Sequence, residues 1–422
     1  MKTVPPRGVD LHASSRSAHP AHTLFTQYEY NSLGQITWTR TPDGDTTYAY
    51  YDAKGRPRFS QNQLQRNAGS YAYIRYDSLG RVIEVGKSSD SIAGGKFSTA
   101  YADNQLFPYN GTERTMTVYS LSAGVTYPTD STPQQNLPNR VSYVYDDDDV
   151  YTYYSYDAHG NIAWLAQDIP GFPQRNYVKY SYDLISGNVT QLDYNEGRLD
   201  QFHHRYSYDE DNRLVEVETS RDGVLWDRDA RYKYLAHGPL KRRELGEDRL
   251  QGLDYTYTIR GQLKSINHPL LTSAVDPGHD GGSFNSFAAD SFAIALGYYK
   301  GDFSHPGSKL DSSQLPFVSM TVVTSLYDGN ISYALSNIGH NTGSGKYEQL
   351  MAETYRYDQL SRLSSSNFRH TKGSSWVPDS AYGTSYSYDP NGNITKLNRR
   401  GYDTGSSDRM DSLSYSYASG KN

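Results

Sequence analysis

The chain has 422 residues, a formal net charge of −6 at neutral pH and no cysteine. The acidic balance argues against nucleic-acid binding, which needs basic patches, and the absence of cysteine excludes disulfides and thiolate metal sites. No apolar run approaches the roughly 20 residues of a membrane-spanning helix, so we expect no membrane insertion by this segment.

Tyrosine dominates the aromatic residues, with 41 copies against 12 of phenylalanine. A wetted tyrosine offers ring area and a polar tip, whereas a buried tyrosine needs a partner for its hydroxyl. The apolar content of 36% is low for a globular domain. The composition therefore favours a thin sheet with water on both sides over a thick apolar core.

Residues 1–24 contain Pro, His and Ser and lack the apolar stretch of a signal peptide, which predicts a flexible N-terminal segment. Residues 25–135 hold the first copies of a tyrosine-rich repeat and a loose insert with Ser, Pro and Thr. Residues 136–268 form the densest part of the array.

The repeated phrase is clearest in YSYDAHGNI at 154–162, YSYDEDNRL at 206–214 and YSYDPNGNI at 386–394. Four copies stand at a spacing of 26 residues, with tyrosines at 156, 182, 208 and 234. Looser copies have tyrosines at 30, 51, 76, 257, 357 and 388, and a partial copy has one at 417. Self-similarity at a steady period predicts a repeat architecture.

Each copy predicts a β-hairpin. Tyr-x-Tyr places two rings on one face of a strand, Asp begins a type I turn, and Gly takes the left-handed position that follows. Asn212 stands in for glycine, the turn from Asp183 to Gly187 is one residue longer, and Ser361 predicts a strained turn or one of another type. The structural repeat residues that we predict are Tyr76, Asp77, Gly80, Tyr156, Asp157, Gly160, Tyr182, Asp183, Gly187, Tyr208, Asp209, Tyr257, Gly261, Tyr357, Asp358, Tyr388, Asp389 and Gly392.

The array is interrupted at residues 269–350 by Gly-rich sequence, including DPGHDGG at 276–282, which we interpret as an insertion within the same body. Residues 291–299 within it predict a strand. Residues 351–422 resume the repeats and end just after a new one opens at 415–417. We expect the chain to be a piece of a longer protein, with the array truncated at the C-terminus. A lone hairpin is barely stable, so the repeats are expected to stack edge to edge into one sheet, an open arc.

Two clusters of polar residues allow more than one interpretation. The four aspartates at 146–149 either bind calcium through clustered carboxylates or form the tip of a hairpin between 143–145 and 151–153, which we favour. His203 and His204 are adjacent on a predicted strand and face opposite sides, so a shared metal site is disfavoured and surface histidines are expected.

No catalytic constellation stands out. The stretch from Gly339 to Lys346 lacks the spacing of a phosphate-binding loop, and the nucleophile elbow and zinc-protease motifs are missing. A glycosidase carboxylate pair is not excluded by residue type, but the turn aspartates already have a structural role. We therefore expect no enzyme activity and no cofactor or metal site. The tyrosines either pack across strands or stack on sugars.

The phrase Tyr-Asp-x-x-Gly-Arg/Asn-Leu/Ile resembles the YD repeat of the bacterial Rhs family, which is related to toxin-complex shell proteins, wall-associated proteins and teneurins. The resemblance covers most of residues 25–422. Residues 252–267, followed by the segment at 276–278 and by 296–299, are also similar to the part that precedes the Rhs core.

This resemblance implies an all-β fold in which antiparallel hairpins form a curved, spiralling sheet, part of a hollow shell around a C-terminal toxin. The self-cleaving core of the family has no copy here, so no cleavage residue is carried over, and the toxin is not in this chain. The implied partners are the toxin and the remaining shell of the same or a neighbouring chain. The implied location is secreted or at the cell surface. The alternative is a surface protein that binds carbohydrate or a target cell through the same repeats.

Overall fold

A computed structural model describes residues 2–3, 25–41, 45–92, 97–299, 302, 323–341, 346–347, 350–372, 375–389, 392–401 and 409–417. Apart from residues 2–3, the predicted N-terminal segment 1–24 lies outside this range, as do residues 342–345 of the rejected phosphate loop. The described residues form 28 strands and two short helices, so the all-β prediction is confirmed. None of the helices in this part of the chain is long and apolar enough to span a membrane.

The chain divides into two compact units, Met1–His203 with Tyr417–Asn422, and His204–Ser416. This division cuts across the segments predicted from sequence, whose boundaries stay a prediction. The strands of the first unit are β1 (Lys2–Thr3), β2 (Thr26–Tyr30), β3 (Ile36–Thr41), β4 (Asp45–Tyr51), β5 (Pro57–Gln61), β6 (Tyr71–Tyr76), β7 (Val82–Ser88), β8 (Thr112–Tyr119), β9 (Val141–Asp146), β10 (Tyr151–Tyr156), β11 (Ile162–Asp168), β12 (Asn176–Tyr182) and β13 (Val189–Tyr194). Its helices are α1 (Gln63–Asn67) and α2 (Thr99–Asp103).

The unit boundary falls within β14 (Phe202–Tyr208). The remaining strands of the second unit are β15 (Leu214–Ser220), β16 (Asp227–Tyr234), β17 (Leu240–Leu245), β18 (Gln251–Tyr257), β19 (Leu263–Ile266), β20 (Phe292–Gly297), β21 (Tyr333–Ile338), β22 (His340–Asn341), β23 (Lys346–Tyr347), β24 (Met351–Tyr357), β25 (Leu363–Lys372), β26 (Ser375–Tyr388), β27 (Ile394–Arg400) and β28 (Arg409–Ser414). The strand predicted at 291–299 is confirmed as β20.

Both units are antiparallel meanders in which each strand pairs with the next one along the chain. In the first unit this pairing runs from β1 to β13. In the second unit it runs from β15 to β21, passes to β24 and continues to β28. The stacked hairpins predicted from the repeat are therefore present in each unit.

The repeat also fixes the register of its hairpins. In the hairpin of β10 and β11, the ladder shifts between Ser155 and Tyr156, one residue before the turn aspartate. The same shift precedes Tyr76, Tyr182 and Tyr388. A three-residue turn that ends on a left-handed residue produces this bulge, because one strand then carries an extra residue.

Small apolar clusters form where connecting segments cover the sheet. In the first unit, Tyr71 and Tyr73 of β6 pack with Phe107 from the connection between β7 and β8, and Trp164 packs under Tyr127. In the second unit, Tyr333 belongs to a cluster with Ala295 and Leu335. The expectation of a sheet wetted on both sides is wrong at these places, because the inserts supply apolar cover.

Candidate functional site

The aspartate of the repeat holds its own turn together. In the turn at 77–81, one carboxylate oxygen of Asp77 accepts hydrogen bonds from the backbone N–H groups of Leu79 and Arg81, both at 2.9 Å. The other oxygen accepts from Nε of Arg81 at 2.6 Å. The Gly80 N–H donates to the Asp77 carbonyl at 3.0 Å. Gly80 has φ of +84°, the left-handed conformation that the sequence predicted for this position.

Other repeats use the same bonds. Asp52, Asp209 and Asp358 each accept from the backbone N–H and from Nε of the arginine four residues later. In two further turns asparagine replaces that arginine, and its side-chain amide donates to Asp157 or Asp389 at 3.1 Å. The carboxylate therefore serves as a hub for the turn in both versions.

The three unusual turns resolve in different ways. Asn212 takes the glycine position with φ of 60°, as predicted. Ser361 keeps the ordinary hydrogen bonds of the turn with φ of 59°, so this turn is strained and of the common type. The turn after Asp183 is one residue longer, because Asp183 N–H bonds to the carbonyl of Asn188 and Gly187 N–H bonds to that of Asp183.

The second tyrosine of each repeat reaches back to the preceding hairpin. The Tyr76 hydroxyl donates to the carbonyl of Pro57 at 2.8 Å, and Pro57 directly follows the turn arginine Arg56. The same bond to the corresponding carbonyl recurs along the described chain. The pairs are Tyr51–Ile36, Tyr76–Pro57, Tyr119–Val82, Tyr156–Val141, Tyr182–Ile162, Tyr234–Leu214, Tyr257–Leu240, Tyr298–Leu263, Tyr357–Ile331 and Tyr388–Leu363.

The turn arginine covers the ring of that same tyrosine. The guanidinium of Arg56 lies 4.3 Å from the centre of the Tyr76 ring, a cation–π contact. The equivalent pairs are Arg81–Tyr119, Arg140–Tyr156, Arg213–Tyr234 and Arg362–Tyr388. We call the group of turn aspartate, turn arginine and following tyrosine the inter-repeat clamp. It is complete in the turns of Asp52, Asp77, Asp209 and Asp358, where it links one hairpin to the next through a salt bridge, a ring contact and a hydrogen bond.

The surroundings of the clamp keep its tyrosine hydroxyl protonated and its aspartate ionised. Burial raises the pKa of the Tyr76 and Tyr388 hydroxyls, which therefore remain protonated donors at neutral pH. Burial opposes ionisation of Asp77, but hydrogen bonds from the backbone and side chain of Arg81 outweigh it and lower the pKa of this carboxyl. The aspartate is thus a fixed carboxylate, held by donors on both oxygens.

All eighteen repeat residues predicted from the sequence lie in the described chain, and they are spread over successive hairpins. The sequence analysis missed Tyr119 and Tyr298, which make the same hydroxyl bond although no Asp-x-x-Gly follows either of them. The only signal in the sequence was that each of them stands at, or directly after, the end of a strand, much as the repeat tyrosines do. His203 was expected at the surface, and this was wrong: it is buried, and its Nδ1 lies 2.6 Å from Oδ1 of Asp193.

The aspartates at 146–149 form a hairpin tip, as favoured. The N–H of Asp149 bonds to the carbonyl of Asp146 at the turn between β9 and β10. Asp147 pairs with Arg114 at 2.8 Å. The tip is therefore engaged in structural contacts.

A second cluster of polar groups, also missed, lies in the second unit. Arg242 of β17 is buried, and its guanidinium contacts Glu244, Asp254 of β18 and Asp280 from the Gly-rich insertion. Burial and neighbouring carboxylates raise the pKa of Asp290 to about 9. The sequence suggested only a Gly-rich loop, because Arg242 stands 12 residues from Asp254 and 38 from Asp280 and no repeat pattern relates them.

No protein-family profile and no curated protein matches the chain. Among solved structures, it is similar to two crystal structures of TcdB2-TccC3, one of them without its hypervariable C-terminal region. Each match has 15% identity and a TM-score of 0.56, and it covers 92% of this chain. A pore structure of the Photorhabdus luminescens Tc holotoxin matches with 12% identity and a TM-score of 0.34, which is too low to indicate a common fold.

The similarity to TcdB2-TccC3 shows the fold alone: this chain has the all-β fold of part of those toxin-complex chains. It spans 18% of the length of the structures it matches. These matches therefore describe the architecture of this chain and say nothing about its activity.

Proposed function

We propose that this chain is a non-catalytic structural segment of an Rhs-type YD-repeat protein. It forms part of a β-shell that encloses and delivers a C-terminal toxin domain carried outside these 422 residues. Its partners are that toxin and the remaining shell, and its place of action is outside the producing cell.

The observation that carries this proposal is the recurrence of the inter-repeat clamp. Arrays of this kind draw their stability from contacts between neighbouring repeats, and they build large surfaces from short units. The fold likeness to TcdB2-TccC3 supports the same role, since one of those structures is described as lacking a hypervariable C-terminal region.

The non-catalytic part of the proposal rests on how the turn carboxylates are used. In the turn of Asp209, both oxygens are occupied by backbone N–H groups and by Arg213. A general acid or base needs a carboxyl that can reach its substrate proton. We expect Asp209→Asn to lower the melting temperature and to leave the rate of hydrolysis of any tested substrate unchanged. Hydrolysis of any glycan or peptide substrate that disappears in this variant would contradict the assignment.

Enclosure is tested on the complete reading frame. The DNA downstream is expected to continue in frame into a variable tail, with a small immunity gene after it. In the purified full-length protein, the tail should resist proteinase K until the shell is unfolded with urea, whereas the tail expressed alone is digested at once. Equal digestion in both contexts refutes enclosure.

A second candidate, glycan binding, is favoured by one surface feature of the second unit. The rings of Tyr299 and Tyr327 stack at 4.8 Å beside a cavity of about 360 Å³ that Ile259 and Arg260 also line. Stacked aromatic walls suit sugar rings. A glycan array on the wild type and on Tyr327→Ala distinguishes the candidates. Specific binding that this substitution removes supports the surface-binding role, and an array without signal leaves the shell role in place.

A further inference from the structure

Three buried aspartates converge in the second unit, outside the clamps. Asp254 lies on β18, and Asp276 and Asp280 lie in the Gly-rich insertion that follows β19. One carboxylate oxygen from each lies within 4.8 Å of those from the other two. Each of the three residues is at most 3% exposed, so water does not screen their mutual repulsion. We call these three residues the aspartate triad.

The cations beside the triad do not balance its charge. Arg242 is shared among Glu244, Asp254 and Asp280, and the ammonium of Lys233 contacts Glu244 at 2.5 Å. Asp276 has no ion pair among the described residues, and the carboxyl beside it belongs to another acid, Asp290. Glu244 and the three triad aspartates therefore share two cations in a buried region, while the raised pKa of Asp290 keeps that carboxyl uncharged at neutral pH.

Asp276 supplies an independent sign of a missing partner. Its Oδ2 accepts hydrogen bonds from the N–H groups of Gly278 at 2.8 Å and Asp280 at 3.2 Å. Its Oδ1 is fully buried and accepts from no N–H group and no cation of the described residues, and the neighbouring group is the carboxyl of Asp290. Leaving a carboxylate oxygen buried without a donor or a cation is costly. The unpartnered oxygen belongs to the triad, so the missing partner is expected there.

The backbone is shaped to let these groups approach. A Cβ on Gly278 would lie 2.0 Å from Arg242 and 2.2 Å from Oδ2 of Asp254, and a Cβ on Gly252 would lie 2.2 Å from Oδ2 of Asp280. Only glycine fits at either position while the carboxylates and the guanidinium stay where they are. The loop thus brings hard oxygen donors together, the ligand type that Ca²⁺ prefers.

We propose that Asp254, Asp276 and Asp280 bind one structural Ca²⁺ ion, with Oδ1 of Asp276 as a ligand. The ion joins the Gly-rich insertion to β18 and brings the two positive charges that the cluster lacks. This site is independent of the clamps and of the proposed shell function.

The test is a Ca²⁺ titration of the chelator-treated chain by calorimetry, together with thermal melting in EDTA and in Ca²⁺. We expect one Ca²⁺ per chain and a melting temperature several degrees higher in Ca²⁺, because a ligand that binds only the folded state stabilises it. Asp276→Asn should weaken Ca²⁺ binding at least about tenfold and remove the thermal shift. The matched control is Asp148→Asn, at the acidic hairpin tip, which should retain both.

Several outcomes would overturn the proposal. One is the absence of Ca²⁺ binding at millimolar concentration in the wild type. In that case, a melting temperature that depends on pH and not on Ca²⁺ indicates that the proton of Asp290 takes the place of the cation. Loss of binding in Asp148→Asn but not in Asp276→Asn places the ion at the hairpin tip instead. If Asp276→Asn does not fold, metal analysis of dialysed wild-type protein decides: one Ca²⁺ per chain supports the site, and none refutes it.

Discussion

The inter-repeat clamp predicts different losses for two substitutions at Tyr76. Tyr76→Phe removes the hydroxyl that bonds to the Pro57 carbonyl at 2.8 Å and keeps the ring beneath Arg56. A net hydrogen bond contributes about 1 kcal/mol, and water can replace the hydroxyl because Pro57 is exposed. Tyr76→Leu also removes the ring, which is only 8% exposed, and the cavity left by the smaller side chain should make its loss larger than that of Tyr76→Phe by about 1–2 kcal/mol.

A third variant, Arg56→Met, separates the ring contact from the hydroxyl bond. It removes the guanidinium that lies on the ring and pairs with Asp52 at 2.6 Å, and it keeps an apolar stem. With Tyr76→Phe its effect should be additive, because the ring is still present. With Tyr76→Leu the two effects should couple by about 0.5–1 kcal/mol, the contribution of an exposed to partly buried cation–π contact.

The assay is urea unfolding followed by circular dichroism, with thermal melting as a second measure. A loss of 1 kcal/mol corresponds to about 2–4 °C for a unit of this size. The control is Tyr109→Phe, since Tyr109 is 70% exposed and should be neutral within about 0.5 kcal/mol. The clamp as described is refuted if Tyr76→Phe matches this control, or if Arg56→Met couples equally to both substitutions of Tyr76.

Three further predictions concern the turns and the Arg242 cluster, which consists of Arg242, Glu244, Asp254 and Asp280. Hydrogen bonds from Arg81 outweigh burial and lower the folded pKa of Asp77 below its ordinary 3.8. The stability that Asp77 contributes is therefore complete above that pH and is lost as the pH falls through the folded pKa. Acid titration of Asp77→Asn by circular dichroism should show a shallower decline than that of the wild type, and identical curves would contradict this origin. Ser361→Gly should stabilise the protein by about 1 kcal/mol, because glycine holds a φ of 59° without strain; a lower melting temperature would show that the hydroxyl bond from Ser361 to Asp328, long at 3.4 Å, outweighs that strain. Gly252→Ala should destabilise the second unit by about 1–3 kcal/mol, since its Cβ would lie 2.0 Å from Arg242. Gly401→Ala, whose Cβ meets nothing closer than 3.5 Å, is the control, and equal melting temperatures for the two variants would show that Arg242 moves freely.

The local hairpin could be predicted from sequence because its causes lie within a few residues. Asp77 and Gly80 specify a turn by their own side-chain and backbone chemistry, and the alternation around Tyr76 specifies the strand before it. The clamp could not be predicted in full. Arg56 and Tyr76 stand 20 residues apart, and only the pairing of β5 with β6 brings them together.

The Arg242 cluster was even harder to predict from sequence. Two of its carboxylates come from β18 and from a segment whose glycines predict a loop. Nothing local distinguishes a buried Asp276 from a solvated one. The glycines of this region mark a close approach of side chains and not a flexible loop. Gly252 and Gly278 leave the space that Arg242 fills. His203 was misjudged for a similar reason, because the acid that accompanies it, Asp193, lies on a different strand.

The composition of the clamp accounts for the shortage of apolar residues in the chain. A repeat with no thick core must obtain its stability from contacts that tolerate partial exposure to water. An isolated surface ion pair contributes little, and an isolated hydroxyl bond only about 1 kcal/mol. In the clamp, Asp52 fixes Arg56, Arg56 covers Tyr76, and Tyr76 bonds to the residue after Arg56, so ordering one group orders the other two. Tyrosine is the residue that serves both the ring contact and the hydrogen bond, which is why phenylalanine does not replace it in these positions.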